Sequence, residues 1–297
     1  MMPPPANFLI IAGFVAAGYF LAKAGVLSQK GIDNISNAIL YFFTPFLIIY
    51  SVSHFDFRIT EILNLIGITI LNVAVIFVFA RVVFRIFGIS GGVFFLPVLF
   101  TNTANVGYPV NLFFWGAGSF PYAASYSVTI AVLLFTFGIY LITPELPFGE
   151  RLKNIFGLPV IYAYASGILL HYTGMPEFLE RLFFICSIPA IPLMLVVAGS
   201  SLIYSRWKLN RKVAAGLVAR FGGGFLVFLL LLLFFDVTPL YMKVIVTNVF
   251  LPAAVMNYIL AVKFKQDKDY MANMIGFSTL IYSFVFLIQL LFFHKLF

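Results

Sequence analysis

Charge is what this sequence has least of. Asp, Glu, Lys and Arg make up only 9% of its 297 residues, while 63% are hydrophobic. Soluble domains carry roughly a quarter charged residues, so no water-soluble fold of this size is compatible with the composition, and lipid must be the solvent. Cysteine is nearly absent as well. Cys186 stands alone inside an apolar run, which excludes an internal disulfide and a thiolate metal site and leaves the redox compartment unread. His54, His171 and His294 are too scattered to form a metal cluster and read as interfacial anchors. Carboxylates are missing from the middle of every apolar run: Asp33, Asp56, Glu61, Glu145, Glu150, Glu177, Glu180, Asp236, Asp267 and Asp269 all fall near helix ends or in loops. Nothing at mid-membrane can therefore attract a cation or relay a proton, and no clustered acid, base or metal residues suggest a membrane enzyme. The net charge of +8 would point to nucleic acid in a soluble protein. Here the basic residues sit in short gaps between apolar runs, which is how a membrane protein marks its cytoplasmic face.

What is present is long apolar runs. A helix needs roughly 20 apolar residues to cross the hydrocarbon core. Such runs cover Asn7 to Ala22, Asn34 to Ser53, Ile62 to Ala80, Ile86 to Pro144, Asn154 to Pro176, Leu182 to Ser205, Phe221 to Phe235 with the preceding turns, Val244 to Val262, and Tyr270 to His294. The run from Ile86 to Pro144 is too long for one span, and its middle, Gly116-Ala-Gly-Ser-Phe-Pro121, reads as a tight turn between two helices. The expected fold class is thus all-α integral membrane, with ten transmembrane helices. The first lysine is Lys23, so the opening run lacks the basic start of a secretory signal and reads as a retained first helix. With ten spans the termini share a side. The loops after helices 1, 3, 5, 7 and 9 hold Lys23, Lys30, Arg81, Arg85, Arg151, Lys153, Arg206, Lys208, Arg211, Lys212, Lys263, Lys265 and Lys268, against Arg58, Arg181, Lys243 and Lys295 opposite. This places the first set in the cytoplasm and both termini on the extracytoplasmic side of a plasma-membrane protein. Arg220, inside helix 8, is expected to snorkel toward the cytoplasmic end.

The two halves match at a nearly constant offset. Gly18-x-x-Leu21-x-x-x-Gly25 corresponds to Gly167-x-x-Leu170-x-x-x-Gly174, Thr44-Pro45 to Ile191-Pro192, Thr101-Asn102 to Thr247-Asn248, and Tyr122 to Tyr270, all 146 to 149 positions apart. Because each unit holds five spans, the second enters the membrane from the opposite side. The expected organisation is two inverted five-helix repeats, residues 1–146 and 154–297, which is a transporter architecture. Helix 4, with Asn102, Thr103, Asn105, Gly107 and Pro109, and its mate helix 9, with Asn248, Pro252 and Asn257, are least able to be plain apolar rods. Both are expected to break near the midplane and cross. Half-helix N-termini and side-chain amides would then converge on one point that favours an anion.

The run Asn102-Thr-Ala-Asn-Val-Gly-Tyr-Pro109 resembles the Asn-Thr-x-x-x-Gly-x-Pro crossover segment of the auxin efflux carrier family, which includes plant PIN-type carriers and their bacterial and archaeal relatives. Pro252-Ala-Ala-Val-Met-Asn257 with the following helix, and Pro192-Leu-Met-Leu-Val-Val-Ala-Gly199-Ser-Ser, are similar to that family's second crossover and its helix 7. The resemblance implies a scaffold domain from helices 1, 2, 6 and 7, a transport domain from helices 3–5 and 8–10, elevator-like movement and a homodimer. It further implies that Asn102 holds a substrate carboxylate while Pro109 and Pro252 shape the crossover. Only Glu145 to Lys153 joins the halves, unlike the long cytoplasmic loop of many plant members, so the short form resembles prokaryotic members, associated with small carboxylates such as malate or malonate.

The expected function is a secondary carrier of small organic anions, driven outward by the interior-negative potential at about 2.3 kcal/mol per charge per 100 mV. No cofactor is expected. Sodium or proton coupling stays open, because carbonyls and Asn side chains bind sodium without a carboxylate. The alternatives are a sodium-coupled, bile-acid-like organic anion symporter and a sensor that binds the anion without flux. Each candidate residue also has a plainer reading. Asn102, Asn248, Asn105 and Asn257 either touch substrate or bond between helices. Pro45 and Pro192 either line a gate or only kink helices 2 and 7. Ser200 and Ser201 either line the cavity or bond back one turn. Gly222-Gly-Gly224 is either a hinge or a close-packing surface, and Trp115 and Trp207 read as headgroup anchors.

Overall fold

The computed structural model of the chain describes residues 4–203 and 207–296, with side chains for 9–203 and 207–291. Arg206 and the side chains of His294 and Lys295 lie outside the described residues. The described chain is helical and contains no strand, only one isolated bridge. The helices are α1 (Pro4–Lys23), α2 (Gln29–His54), α3 (Ile59–Ile86), α4 in two pieces (α4a, 92–99; α4b, 103–115), α5 (Ala117–Ile142), a linker helix (Phe148–Phe156), α6 (Pro159–Thr173), α7 (Glu177–Ser201), α8 (Arg211–Phe234), α9 in two pieces (α9a, Leu240–Asn248; α9b, Val255–Lys263) and α10 (Lys268–Leu296). Six of them, α2, α3, α5, α7, α8 and α10, are long and apolar enough to cross a membrane. The linker helix and α6, bent by 61° at their junction, make a seventh if taken as one span. The pieces of α4 and α9 are individually too short to count, a direct consequence of their breaks.

Local chemistry explains the boundaries. Ser28 accepts from the Gly31 N–H at 3.1 Å and Asn210 from the Val213 N–H at 3.0 Å, so each caps the free donors at a helix start. Pro159 and Pro121 sit in first turns, where a missing N–H costs nothing. At Gly116 the backbone takes φ +74, which lets the chain reverse between α4b and α5 as expected. Pro45 has no N–H to give the preceding turn, and α2 widens there into a π segment, Ile39–Phe43. In α7 the irregular turn lies at Ile188 and Pro189, one turn ahead of Pro192. Residue 154 lies inside the linker helix Phe148–Phe156, whose Arg151 donates back to the carbonyls of Pro144 and Leu146.

Packing pairs α1 with α7, α6 with the second half of α2, α3 with α8, α3 with α5, α8 with α10, and α4b with α9a. One of these seams brings backbone against backbone. A Cβ on Gly18 would strike the Val196 carbonyl, and one on Gly199 would strike the Val15 carbonyl, so at these two glycines α1 and α7 approach with no side chain between them. On α6, Gly167 instead makes room for the Val52 side chain of α2, 2.8 Å from where a Cβ would stand. Gly222, Gly223 and Gly224 sit against Phe79, Ile76 and the Val249 carbonyl, a packing surface. The outward faces carry exposed Leu63, Val78, Leu229, Leu233, Phe284 and Ile288, a surface for lipid tails. Gly18→Val is expected to lower stability in detergent by about 1–3 kcal/mol through overpacking, read as a drop in melting temperature. Gly13→Val, facing open space, should melt as the parent does.

Candidate functional site

The two breaks meet. Residues 100–102 interrupt α4 and residues 249–254 interrupt α9, and the freed backbones pair as a short antiparallel bridge between Thr101 and Ala253. The Asn102 N–H donates to the Pro252 carbonyl at 2.8 Å, and the Ala254 N–H donates to the Phe100 carbonyl at 3.1 Å. At Asn102, φ −79 and ψ 68 form an inverse γ-turn closed by Thr103 N–H to Thr101 O at 2.9 Å. The break in α4 therefore precedes Gly107 and Pro109 rather than occurring at them. Pro109 lies buried inside the resumed helix, and its missing N–H goes with the π turn Thr103–Gly107 just before it. Gly107 has a different role: a Cβ there would come within 2.9 Å of Leu251 and 3.1 Å of Asn248, so glycine admits α9. Pro252 does lie in its break, as expected.

Beside the bridge opens a cleft of about 160 Å³. Its polar lining comes from Asn102, Thr103 and Asn105 at the start of α4b, from Ser36, Asn37 and Thr44 of α2 and from Ser127 of α5, with Ala254, Val255 and Met256 at the start of α9b completing it. Both resumed helices thus present their first turns, whose N–H groups lack intrahelical acceptors, to one space. Asn102 accepts from the Asn105 N–H at 3.2 Å, which makes it the cap of α4b as well as a cleft residue. Thr103 and Ser127 share a hydrogen bond of 2.8 Å. No Asp or Glu lines this cleft. Ser125 of α5 is hydrogen-bonded to Tyr164 of α6. A second cleft of about 330 Å³ between α2, α7, α9b and α10 is lined by Gln29, Asp33, Ser201 and Tyr258.

The remaining candidates form the frame behind the cleft. Asn248 is buried, and its Oδ1 accepts from Asn111 Nδ2 at 3.1 Å. Asn111 also donates to the Gly107 carbonyl at 2.7 Å. Asn257 is fully buried and donates to the Phe100 carbonyl at 2.9 Å. Pro45 is half-buried next to the cleft residue Thr44, and Pro192 is half-buried away from either cleft. Ser200 is buried and donates back to Val197, whereas Ser201 reaches the second cleft. Trp115, at the end of α4b, is half-buried and donates to Thr247 at 2.9 Å, with the Lys243 ammonium 5.4 Å from its ring. Trp207 is exposed and rests edge-on against Phe277. Among the described residues no group of three His, Cys, Asp or Glu side chains is placed to hold a metal ion.

Arg220 departs furthest from expectation. It does not snorkel: its side chain is 1% exposed and folds into the break. The guanidinium donates to the carbonyls of Val249 at 2.6 Å, Leu251 at 2.9 and 3.1 Å, and Val98 at 3.3 Å. Neither Arg220 nor Asn111 carried a sequence signal of this role beyond being polar inside an apolar run.

Residues 150–290 match a family model described as membrane transport protein, the family of the auxin efflux carriers. No curated protein matches the chain. With six apolar helices of spanning length, the match makes the chain a multi-pass membrane protein.

Asn111→Leu strands one buried acceptor, Asn248 Oδ1, removes a second donor from the Gly107 carbonyl, and is expected to cost about 1–3 kcal/mol. Adding Asn248→Leu removes one stranded acceptor, so the double variant should lose less than the two single losses combined, measured by thermal unfolding in detergent.

Proposed function

With residues 150–290 matching the membrane transport protein family, we propose that this chain is a secondary carrier of small organic anions that binds a carboxylate where α4 and α9 break. The observation that carries the reading is the cleft itself. Two half-helix N-termini and the Asn102 amide border one space without a carboxylate among its lining residues, an arrangement that stabilises negative charge in a low-dielectric setting.

The ten-span, inverted-repeat architecture follows on the same terms. Exchanging the halves turns the α1–α7 contact into the α6–α2 contact and the α3–α5 contact into the α8–α10 contact, and it leaves the α3–α8 pair in place. Gly18 and Gly167, which correspond in the two halves, each sit against the corresponding partner helix, Gly18 on the Val196 carbonyl of α7 and Gly167 on the Val52 side chain of α2. The paired interruptions are the crossover of such a fold. The cleft separates α2 and α6 from α4, α5 and α9b, which is where a scaffold of α1, α2, α6 and α7 would face a moving domain of α3–α5 and α8–α10. Its mouth lies toward the starts of α2 and α6 and the end of α9b, the side of the basic loops, so the site faces the cytoplasm in a plasma-membrane protein with both termini outside. Loading from that side suits export. A homodimer is the expected assembly.

Reconstituted protein on a solid-supported membrane, scanned with mono- and dicarboxylates with and without sodium and a pH gradient, should give anion-dependent currents. Asn102→Ala removes a charge-assisted hydrogen bond and should weaken apparent affinity by roughly 10- to 100-fold; currents equal to those of the parent would show that the site is elsewhere. Strict sodium dependence would turn the reading to a symporter, and binding without current to a sensor. In a Cys186→Ala background, cysteines at Lys30, Lys153 and Lys268 should react with an impermeant maleimide only after the cytoplasmic face is opened. Cysteines at Asp56 and Asp236 should react from outside, and the reverse pattern would invert the orientation.

A further inference from the structure

Arg220 is the largest fully buried side chain among the described residues, and none of their carboxylates pairs with it. Burying a lone charge is costly, so its surroundings must be built to hold it. They are: α4a ends at Leu99 and α9a at Asn248, and the carbonyls of Val98, Val249 and Leu251 from these two ends converge on one planar group. Helix C-termini carry partial negative charge, and free carbonyls at a break are the ligands that monovalent metal cations use in transporters with interrupted helices. Gly224, one turn beyond Arg220 on α8, has the Val249 carbonyl 2.8 Å from where a Cβ would stand. Only a glycine there allows α8 to bring the guanidinium in.

We propose that Arg220 is a built-in cation, whose guanidinium fills the place between the carbonyl ends of α4a and α9a that a bound sodium ion would otherwise take. Arginine does not lose its proton in proteins, so the charge is permanent. The guanidinium neutralises the carbonyl ends, while the first residues of α4b and α9b border the cleft. A second cation at the same carbonyls would meet a like charge, so the site needs no sodium to hold its shape. The inference rests on reading the break as the anion site and assigns that site its countercharge.

The test uses purified full-length protein in detergent and follows thermal unfolding, which does not depend on transport. The parent should melt at the same temperature in sodium chloride and in choline chloride of equal ionic strength. R220A should melt several degrees lower, and low-millimolar guanidinium chloride should restore at least half of the loss while equal urea, its neutral analogue, restores none. Sodium should also raise R220A above its value in choline. R220A melting as the parent does, urea matching guanidinium, or a parent raised by sodium would each overturn the proposal. If R220A is not recovered folded, R220K and R220M decide. Lysine keeps the charge and should melt between the parent and R220M, and R220M as stable as R220K would overturn the proposal. Failure here leaves the carrier reading intact, because anion currents from the parent are measured separately.

Discussion

A backbone that leaves the helix inside an apolar body must find other partners for every N–H and C=O it frees, and the organisation of this molecule follows from how that is done at residues 100–102 and 249–254. Each break alone would leave polar groups stranded at a cost of several kcal/mol apiece in hydrocarbon. Together they satisfy one another through the Asn102–Pro252 and Ala254–Phe100 hydrogen bonds. Asn257 adds a second donor to the Phe100 carbonyl, and what the bridge cannot reach is taken by side chains from elsewhere: Ser278 accepting from the Ala253 N–H at 3.0 Å, and Arg220 on three further carbonyls.

This repair is polarised. Acceptors left at the ends of α4a and α9a turn to a guanidinium, and the first turns of α4b and α9b, the positive ends of those helices, line the cleft. A helix broken without such partition would present its positive and negative ends to the same space and cancel its own field. Here the amide groups of Asn102 and Asn105 stand on the donor side, with Asn111 and Asn248 bonded to each other behind them. Binding chemistry and structural maintenance are therefore divided among residues of one type, and only position tells them apart.

That division explains what could be read from the sequence. Composition and run length announced a membrane protein because the solvent acts on every residue at once. Proline and glycine announced local events, so the Gly116 turn and the break at Pro252 stand where expected. The break in α4 lies seven residues ahead of Pro109, since proline marks a backbone that tolerates a lost donor and says nothing of where the neighbouring chain comes to pair. Tertiary partners were not legible at all. Arg220 looked like a snorkelling residue because its distance from the helix end permits that, and nothing in α8 shows that the carbonyls of α4 and α9 arrive beside it. The partner of the Trp115 N–H, Thr247 on α9a, was equally invisible.

The reciprocal glycines of α1 and α7 have a mechanical consequence. Gly18 faces the Val196 carbonyl and Gly199 faces the Val15 carbonyl, so over this turn no rotatable side chain stands between the two helices, and the contact is stiff. The boundary between α2 with α6 and the broken helices is built the other way, with polar groups and open volume where α1 and α7 have touching backbone.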